Sequence, residues 1–444
     1  MNQSKPRVSA FTTYGYALGD FGVNLYFISV MTWLLYFYTD VYGLSAAAAS
    51  GVLFVARLID AITDPLVGYV AERTRSRWGR MRPYLLFGGV PLALITVATF
   101  TVPGWDDAGK LVWAYVTYTV FGLVYTVVTI PYAALTGSIT EDYAERTRLS
   151  TFRIGFAFAG GIISSVATFP LIKLFDSEAA GFQWVMAMYG VIATVLLWVT
   201  FASTREIAQK QTFPKPTLQQ SWAAVTRNSH LWVVIAIFSC GALSFTVRQA
   251  MAPYYFIYNV GQPDLIATYF LATLGCMLIG VWLVPRLSAR FGKDGAIRLG
   301  AYLTLLASVG FYLTPASAVS AVFVWGCLVA LGATPVAVLG WAMIPDTVEY
   351  AQLKHGVRAD GAIFATASFF QKLAKTIGGA GVAAILGWLG YVANTTQSEA
   401  ALAGIHGMLT LGPLVLSVVL VALTHLYKLD RETHQQILDE LAAR

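Results

Sequence analysis

The sequence predicts an all-α polytopic membrane protein with about twelve transmembrane helices in two six-helix halves. The first observation is composition: of 444 residues, 57% are hydrophobic and 12% charged, with a mean hydropathy of +0.64, outside the range of ordinary globular chains. The second is that apolar runs of about 20 residues, enough to cross a hydrocarbon core of about 30 Å, recur along the whole chain. The third is the placement of cations. With the N-terminus in the cytoplasm, 22 of the 29 Lys and Arg residues fall in the termini and the even-to-odd loops, and only Lys110 and Lys173 fall on the other side. That asymmetry puts both termini inside a cell inner membrane by the positive-inside rule. It also accounts for the net charge of +6 without a nucleic-acid partner. The polar N-terminus leads directly into a full-length span, so no cleavable signal peptide is expected.

The first span, Tyr14–Tyr38, carries Asp20 several residues inside it, with Asn24 one turn later. The second, Ser45–Val70, contains Arg57, Asp60 and Asp64. At i, i+3 and i+7 these share one helix face. A charge inside a membrane helix is costly and usually functional. Two carboxylates one turn apart suit Na⁺ as oxygen ligands, or a proton bound where their mutual repulsion favours protonation. One arginine accounts for only one of the two. An island of five arginines, Arg73, Arg75, Arg77, Arg80 and Arg82, follows. It is expected to act as a gate latch, with Arg77, Arg80 and Arg82 pairing to acids at the ends of neighbouring spans such as Glu141 or Asp142.

The third span is Tyr84–Val102 and the fourth Lys110–Leu135. In the fourth, Tyr125 and Thr129 lie one turn apart with Thr126 beside them, and Pro131 deprives a backbone carbonyl of its usual donor. The fifth, Phe152–Leu174, holds Arg153, and the sixth is Gln183–Phe201. The domain boundaries expected are 1–202 for the first half, 203–229 for a cytoplasmic central loop, 230–428 for the second half and 429–444 for a cytoplasmic tail.

In the second half the spans are Leu231–Tyr258, Leu265–Leu287, Ile297–Leu313, Val319–Ile344, Gly361–Val392 and Leu402–Lys428. The seventh carries Arg248, which needs an anionic partner, either an aspartate of the other half or a negative group on the substrate. The tenth carries Trp341, a further candidate for the substrate site. The eleventh carries Gln371, Lys372, Lys375 and Thr376, with the two lysines on one face and deep enough that at least one points inward. The halves echo each other: Ser-Arg-Trp-Gly-Arg at 76–80 follows the second span and Ala-Arg-Phe-Gly-Lys at 289–293 the eighth. Duplicated six-helix halves of this kind place a substrate near the bilayer midplane and expose it alternately to each side.

The three cysteines, Cys240, Cys276 and Cys327, all fall inside spans and form neither a disulfide framework nor a metal-ligand spacing. None of the five histidines joins a cysteine or carboxylate in a catalytic spacing, which argues against a membrane-embedded enzyme. A sensor without flux remains compatible with the pattern, as does a proton-driven sugar exporter, because the same sites run in either direction. No cofactor beyond the coupling ion is expected, and the chain is expected to act as a monomer.

As an ordered set, these motifs resemble the glycoside–pentoside–hexuronide:cation symporters, a branch of the major facilitator superfamily that includes the melibiose and glucuronide permeases. The resemblance runs through Tyr14–Gly22, Phe37–Gly43, Arg57–Pro65, Arg77–Pro83, Tyr125–Tyr132, Pro345–Tyr350, Gly356–Gly361 and Gln371–Gly379. It implies a cation site at Asp60, Asp64 and Thr126, sugar contacts at Asp20 and Arg153, and a lysine, Lys372, linking the two sites. Asn24, Tyr125, Thr129, Arg248 and Trp341 join the expected substrate site, and Arg57, Arg77, Arg80, Arg82 and Lys375 the coupling and gating groups. Gly19 stands where the melibiose permease has a lysine, Thr129 replaces its helix-four carboxylate and Ala133 its sugar-stacking tryptophan. One acid fewer, with Arg248 present, shifts the expected substrate towards an acidic sugar such as a hexuronide.

Overall fold

A computed structural model describes residues 8–140, 143–206, 217–356, 359–429 and 431–442. Among these residues every regular element is helical. In the N-terminal part these are α1 (Ala10–Tyr36), α2 (Ala46–Arg73), α3 (Arg82–Thr99), α4 (Asp107–Ile139), α5 (Tyr143–Ile172) and α6 (Glu178–Ser203). They are followed by α7 (Leu218–Thr226), α8 (Ser229–Tyr254), α9 (Leu265–Leu313), α10 (Val319–His355), α11 (Asp360–Trp388), α12 (Glu399–Leu426) and α13 (Arg431–Ala442). Helix starts follow local chemistry. Ser9, Ser45, Asp106, Ser177, Asn228 and Ser398 each accept a hydrogen bond from a backbone N–H in the first turn of the helix they precede, supplying partners for otherwise orphaned donors.

Ten of the described helices are long and apolar enough to cross a membrane. The arithmetic of twelve closes in two places. The 49-residue α9 contains both the eighth and ninth spans, broken at Gly292 (φ 77°, ψ 170°), where hydropathy alone predicts a separating loop. The remaining span is α11, whose Gln371, Lys372 and Lys375 lower its hydropathy. The described end of the central connection is helical: Thr217 and Gln220 form a reciprocal capping box that starts α7. In the tail, Arg431–Ala442 form α13.

By contact the chain divides into two units: Met1–Gln211 with Val392–Thr395, and Thr212–Tyr391 with Thr396–Arg444. In the first, α1 packs on α5 and α6, α3 on α4 and α6, and α2 on α4. In the second, α8 packs on α11 and α12, and α9 on α10 and α12. Span for span, these pairings correspond, although α8 also packs on α10. The first unit centres on aromatic packing, with Trp33 stacked on Phe169 at 5.4 Å and Phe100 on Phe182 at 5.7 Å. The second buries an aliphatic core including Leu231, Ile235, Ile297, Ile344, Ile363 and Leu420. Large apolar side chains such as Leu94, Trp282 and Leu306 point outward, as lipid-facing surfaces require.

Two further echoes are structural. Gly79 and Gly292, at matching places in the paired basic turns, both have positive φ (106° and 77°), which costs a glycine little and any other residue more. The first span of each unit also ends in a π-helical turn, Phe37–Val41 and Tyr255–Asn259. There Tyr42 N donates to Phe37 O and Val260 N to Tyr255 O, at 2.7 and 3.0 Å. Hydropathy does not reveal this second pair, although both runs show two adjacent aromatics with a glycine five residues after the second.

Candidate functional site

In the first unit the charges of α2 meet α4. Asp60 is 5% exposed and Asp64 half-buried. The Thr126 hydroxyl, itself buried, stands 3.3 Å from Asp60 Oδ1 and 3.0 Å from Asp64 Oδ1. It has one proton to donate, so the three groups form a compact set of oxygens with more acceptor than donor capacity. Arg57 reaches Asp60 Oδ2 at 3.4 Å, and its guanidinium lies 5.6 Å from the centre of the Tyr118 ring. The geometry follows from sequence spacing: residues 57, 60 and 64 share the face of α2 that packs on α4.

A second cluster joins α1, α4 and α5. Arg153 donates from Nε to Asp20 Oδ2 and from Nη2 to Asp20 Oδ1, and from Nη1 to Thr136 Oγ1 at 2.9 Å. Its guanidinium lies over the rings of Tyr132 and Tyr16, at 4.7 and 5.2 Å. The tyrosines lock the helices together: Tyr16 donates to Tyr132 O at 2.8 Å, and Tyr132 donates to Tyr16 O at 2.7 Å. Both expected sugar contacts, Asp20 and Arg153, are thus engaged with each other. Asn24 spends its amide nitrogen on Asp20 O at 2.8 Å, leaving its oxygen for other partners. Tyr125 stacks between Phe27 and Phe121, at 6.0 and 5.8 Å, and Thr129 is half-buried one turn on.

The substituted positions have different physical causes. Gly19 is not a gap left by a lost lysine, because a Cβ there would meet Tyr132 Cε2 at 2.6 Å and Thr200 Oγ1 at 2.8 Å. It is a close-approach position between α1, α4 and α6. Ala133 lies on an exposed face.

Arg248, Trp341, Lys372 and Lys375 belong to the second unit. Arg248 is half-buried on α8. Among the described residues its one hydrogen bond runs from Nε to Ser244 O at 3.4 Å, and it has no carboxylate partner. Trp341 packs edge-to-face on Phe238 at 4.9 Å and is 40% exposed. Lys372 and Lys375 are half-buried on α11, where Thr376 Oγ1 donates to Lys372 O at 2.9 Å.

The arginine island makes a contact that its sequence neighbourhood does not suggest. Glu141 and Asp142 lie outside the described residues. Among the described residues, the acid found at the island is Glu206, just beyond α6. Its carboxylate accepts from the backbone N–H groups of Arg80, Met81 and Arg82 at 2.9, 2.7 and 3.1 Å. These are the orphan donors at the start of α3, where a carboxylate is favoured by the helix dipole. Arg82 turns to Phe201, donating from Nη2 to its carbonyl at 2.7 Å and lying 4.4 Å over its ring. Arg77 lies over Trp78 at 4.2 Å. No sequence spacing signals a partner 124 residues away.

The family model described as "MFS/sugar transport protein" matches residues 15–431. An isoprimeverose transporter of Lactiplantibacillus pentosus is 35% identical, the match covering 96% of this chain and 90% of that protein. A putative sulfoquinovose importer of Salmonella typhimurium is 31% identical over 97% and 92% of the two chains. Among solved structures, a bacterial homologue of the human lysosomal transporter Spinster, in an inward-facing and unoccupied conformation, superposes with a TM-score of 0.69. It is 12% identical and the match covers 97% and 98% of the two chains, a likeness of fold alone.

Proposed function

Because this chain belongs to the MFS/sugar transport protein family, in its glycoside–pentoside–hexuronide:cation symporter branch, we propose that it imports a sugar or glycoside by cation-coupled symport. It acts as a single chain in the inner membrane with both termini cytoplasmic, a topology supported by the 22-to-2 bias of its basic residues. Its activity is transport by alternating access, not catalysis.

The coupling ion is a hard monovalent cation, Na⁺ or H⁺. The observation that carries this is the convergence of two α2 carboxylates on the Thr126 hydroxyl. Three oxygens, two from one turn of α2 and one from α4, can replace part of the water shell of Na⁺. Alternatively, one carboxylate can hold the proton while the other accepts a hydrogen bond. In the first unit, Asp20 and Arg153 contact the sugar.

The substrate is an acidic sugar, held through its anionic group by Arg248. Arg57 and Arg153 are matched to aspartates, whereas Arg248 has only a backbone carbonyl as acceptor among the described residues. A guanidinium there offers a planar fork to a carboxylate or sulfonate. The relative named for a sulfo-sugar supports this reading. The relative named for isoprimeverose favours the second reading, a glycoside without an anionic group.

The test is counterflow in proteoliposomes against paired neutral and acidic glycosides, with and without Na⁺ and with an imposed pH gradient. Import of an acidic member driven by one of the two ions is expected. Equal transport of neutral and acidic analogues would return the substrate to the neutral class, and downhill flux insensitive to both ions would remove the symport reading.

A further inference from the structure

Far along the chain from the carboxylates of α2, the second unit gathers a different set of ligands. At the end of α10, Asp346 and Glu349 lie one turn apart and face His434 of α13. His434 Nε2 is 2.5 Å from Glu349 Oε2 and 3.7 Å from Asp346 Oδ1. All three ligand atoms lie within 4.8 Å of one another. Asp346 is buried, at 5% exposure, while Glu349 and His434 are partly open. A cavity of about 340 Å³ adjoins them, lined among others by Ser288, Gly292, Lys293, Asp346 and His434.

A simple ion-pair network accounts for only part of this. Lys293 already satisfies Asp346, with Nζ 2.8 and 2.7 Å from its two oxygens, and it donates to Ala342 O at 2.9 Å. That leaves Glu349 turned to the same imidazole nitrogen that Asp346 approaches. Two carboxylates around one nitrogen supply more acceptor capacity than a single ring proton uses.

We propose that Asp346, Glu349 and His434 form a site for a borderline divalent transition metal of the Zn²⁺ class. Ligands bound tetrahedrally at about 2.0–2.2 Å stand about 3.3 Å apart, and the observed 2.5 and 3.7 Å bracket that separation. One imidazole and two carboxylates match Zn²⁺ or Co²⁺, and the adjoining cavity leaves the fourth position to water. Mg²⁺ and Ca²⁺ demand more oxygens than the cluster supplies. Binding replaces the proton on the His434 nitrogen, ties α13 to α10 and competes with the Lys293 ammonium for Asp346. Lys293 follows Gly292, the break in α9, so metal at this site bears on the turn that echoes the arginine island.

The experiment titrates tag-free, full-length protein in detergent with Zn²⁺ by calorimetry, and with Co²⁺ by visible absorption. One site per chain is expected, with Co²⁺ bands of tetrahedral intensity and no competition from Mg²⁺. His434→Ala and Glu349→Gln should each weaken it at least tenfold. Lys293→Met, which removes the competing ammonium and keeps the bulk, should tighten it at least threefold. Affinity unchanged in His434→Ala would overturn the proposal, as would weaker binding in Lys293→Met or weak multi-site binding alike in every variant. Monodisperse elution of each variant keeps loss of fold apart from loss of site.

Discussion

Gly122 on α4 and Asp60 on α2 touch with no room for a methyl between them: a Cβ on Gly122 would stand 2.7 Å from Asp60 Oδ1. The carboxylate is short and buried, so Gly122→Ala must displace it from its present contacts. Apparent affinity for the coupling ion should fall about tenfold, roughly 1.4 kcal/mol, with substrate exchange in the absence of a gradient little altered. Ion-activation curves of uptake in membrane vesicles measure this. Wild-type activation in Gly122→Ala would show that the position of Asp60 does not set ion affinity.

Asp60→Cys and Asp64→Cys each remove one carboxylate from the oxygen set. Concentrative uptake should be lost in both while the purified proteins elute as folded species. If either mutant still accumulates substrate against a gradient, the ion site lies elsewhere.

Arg248 and Arg153 should respond differently. Arg248→Ala should reduce affinity for an acidic glycoside more than tenfold, within the roughly 2–5 kcal/mol typical of losing a buried charged partner, and leave a neutral analogue nearly unaffected. Arg153→Ala instead strands Asp20, whose side chain is only 14% exposed, and should cost about 3–5 kcal/mol of stability with every substrate weakened. Binding assays with both ligands, together with thermal unfolding, separate the two. Equal losses for neutral and acidic ligands in Arg248→Ala would make that arginine a structural counter-ion.

The arginine island should act through turnover. Arg77 is exposed and Arg80 half-buried, and pairs at or near the surface are worth about 0–1 kcal/mol, so replacing either by alanine should change turnover modestly. Glu206→Ala removes the acceptor of three backbone N–H groups, and hydrogen bonds to a charged acceptor are worth about 1.5–3 kcal/mol each. Maximal transport rate should therefore fall several-fold, with substrate affinity preserved. A large affinity loss in Glu206→Ala at unchanged rate would count against a latch.

Much of the helical frame is legible in the sequence because hydropathy and span length are local properties. Residues 57, 60 and 64 share a face for the same reason: helical geometry fixes it. The break inside α9 reads as a longer loop in the sequence, whereas the structure separates the two helices at a single glycine, Gly292, with positive φ. The π-helical turns rest on a few backbone bonds, and α7 starts at side-chain caps from Thr217 and Gln220, none of which hydropathy reports.

By itself the sequence determined the membrane class, the repeated six-span pattern and the short list of charges that a bilayer would not tolerate without purpose. Only the tertiary structure decided which charge answers which. Asp20 meets Arg153 across 133 positions, and Glu206, just beyond α6, meets the turn before α3. Arg248 is left with a backbone carbonyl among the described residues. The physical reason is range. Burial and periodicity are set by each residue and its near neighbours along the helix. A buried charge is satisfied by whatever group packing brings within about 3 Å, and that group can come from anywhere in the chain.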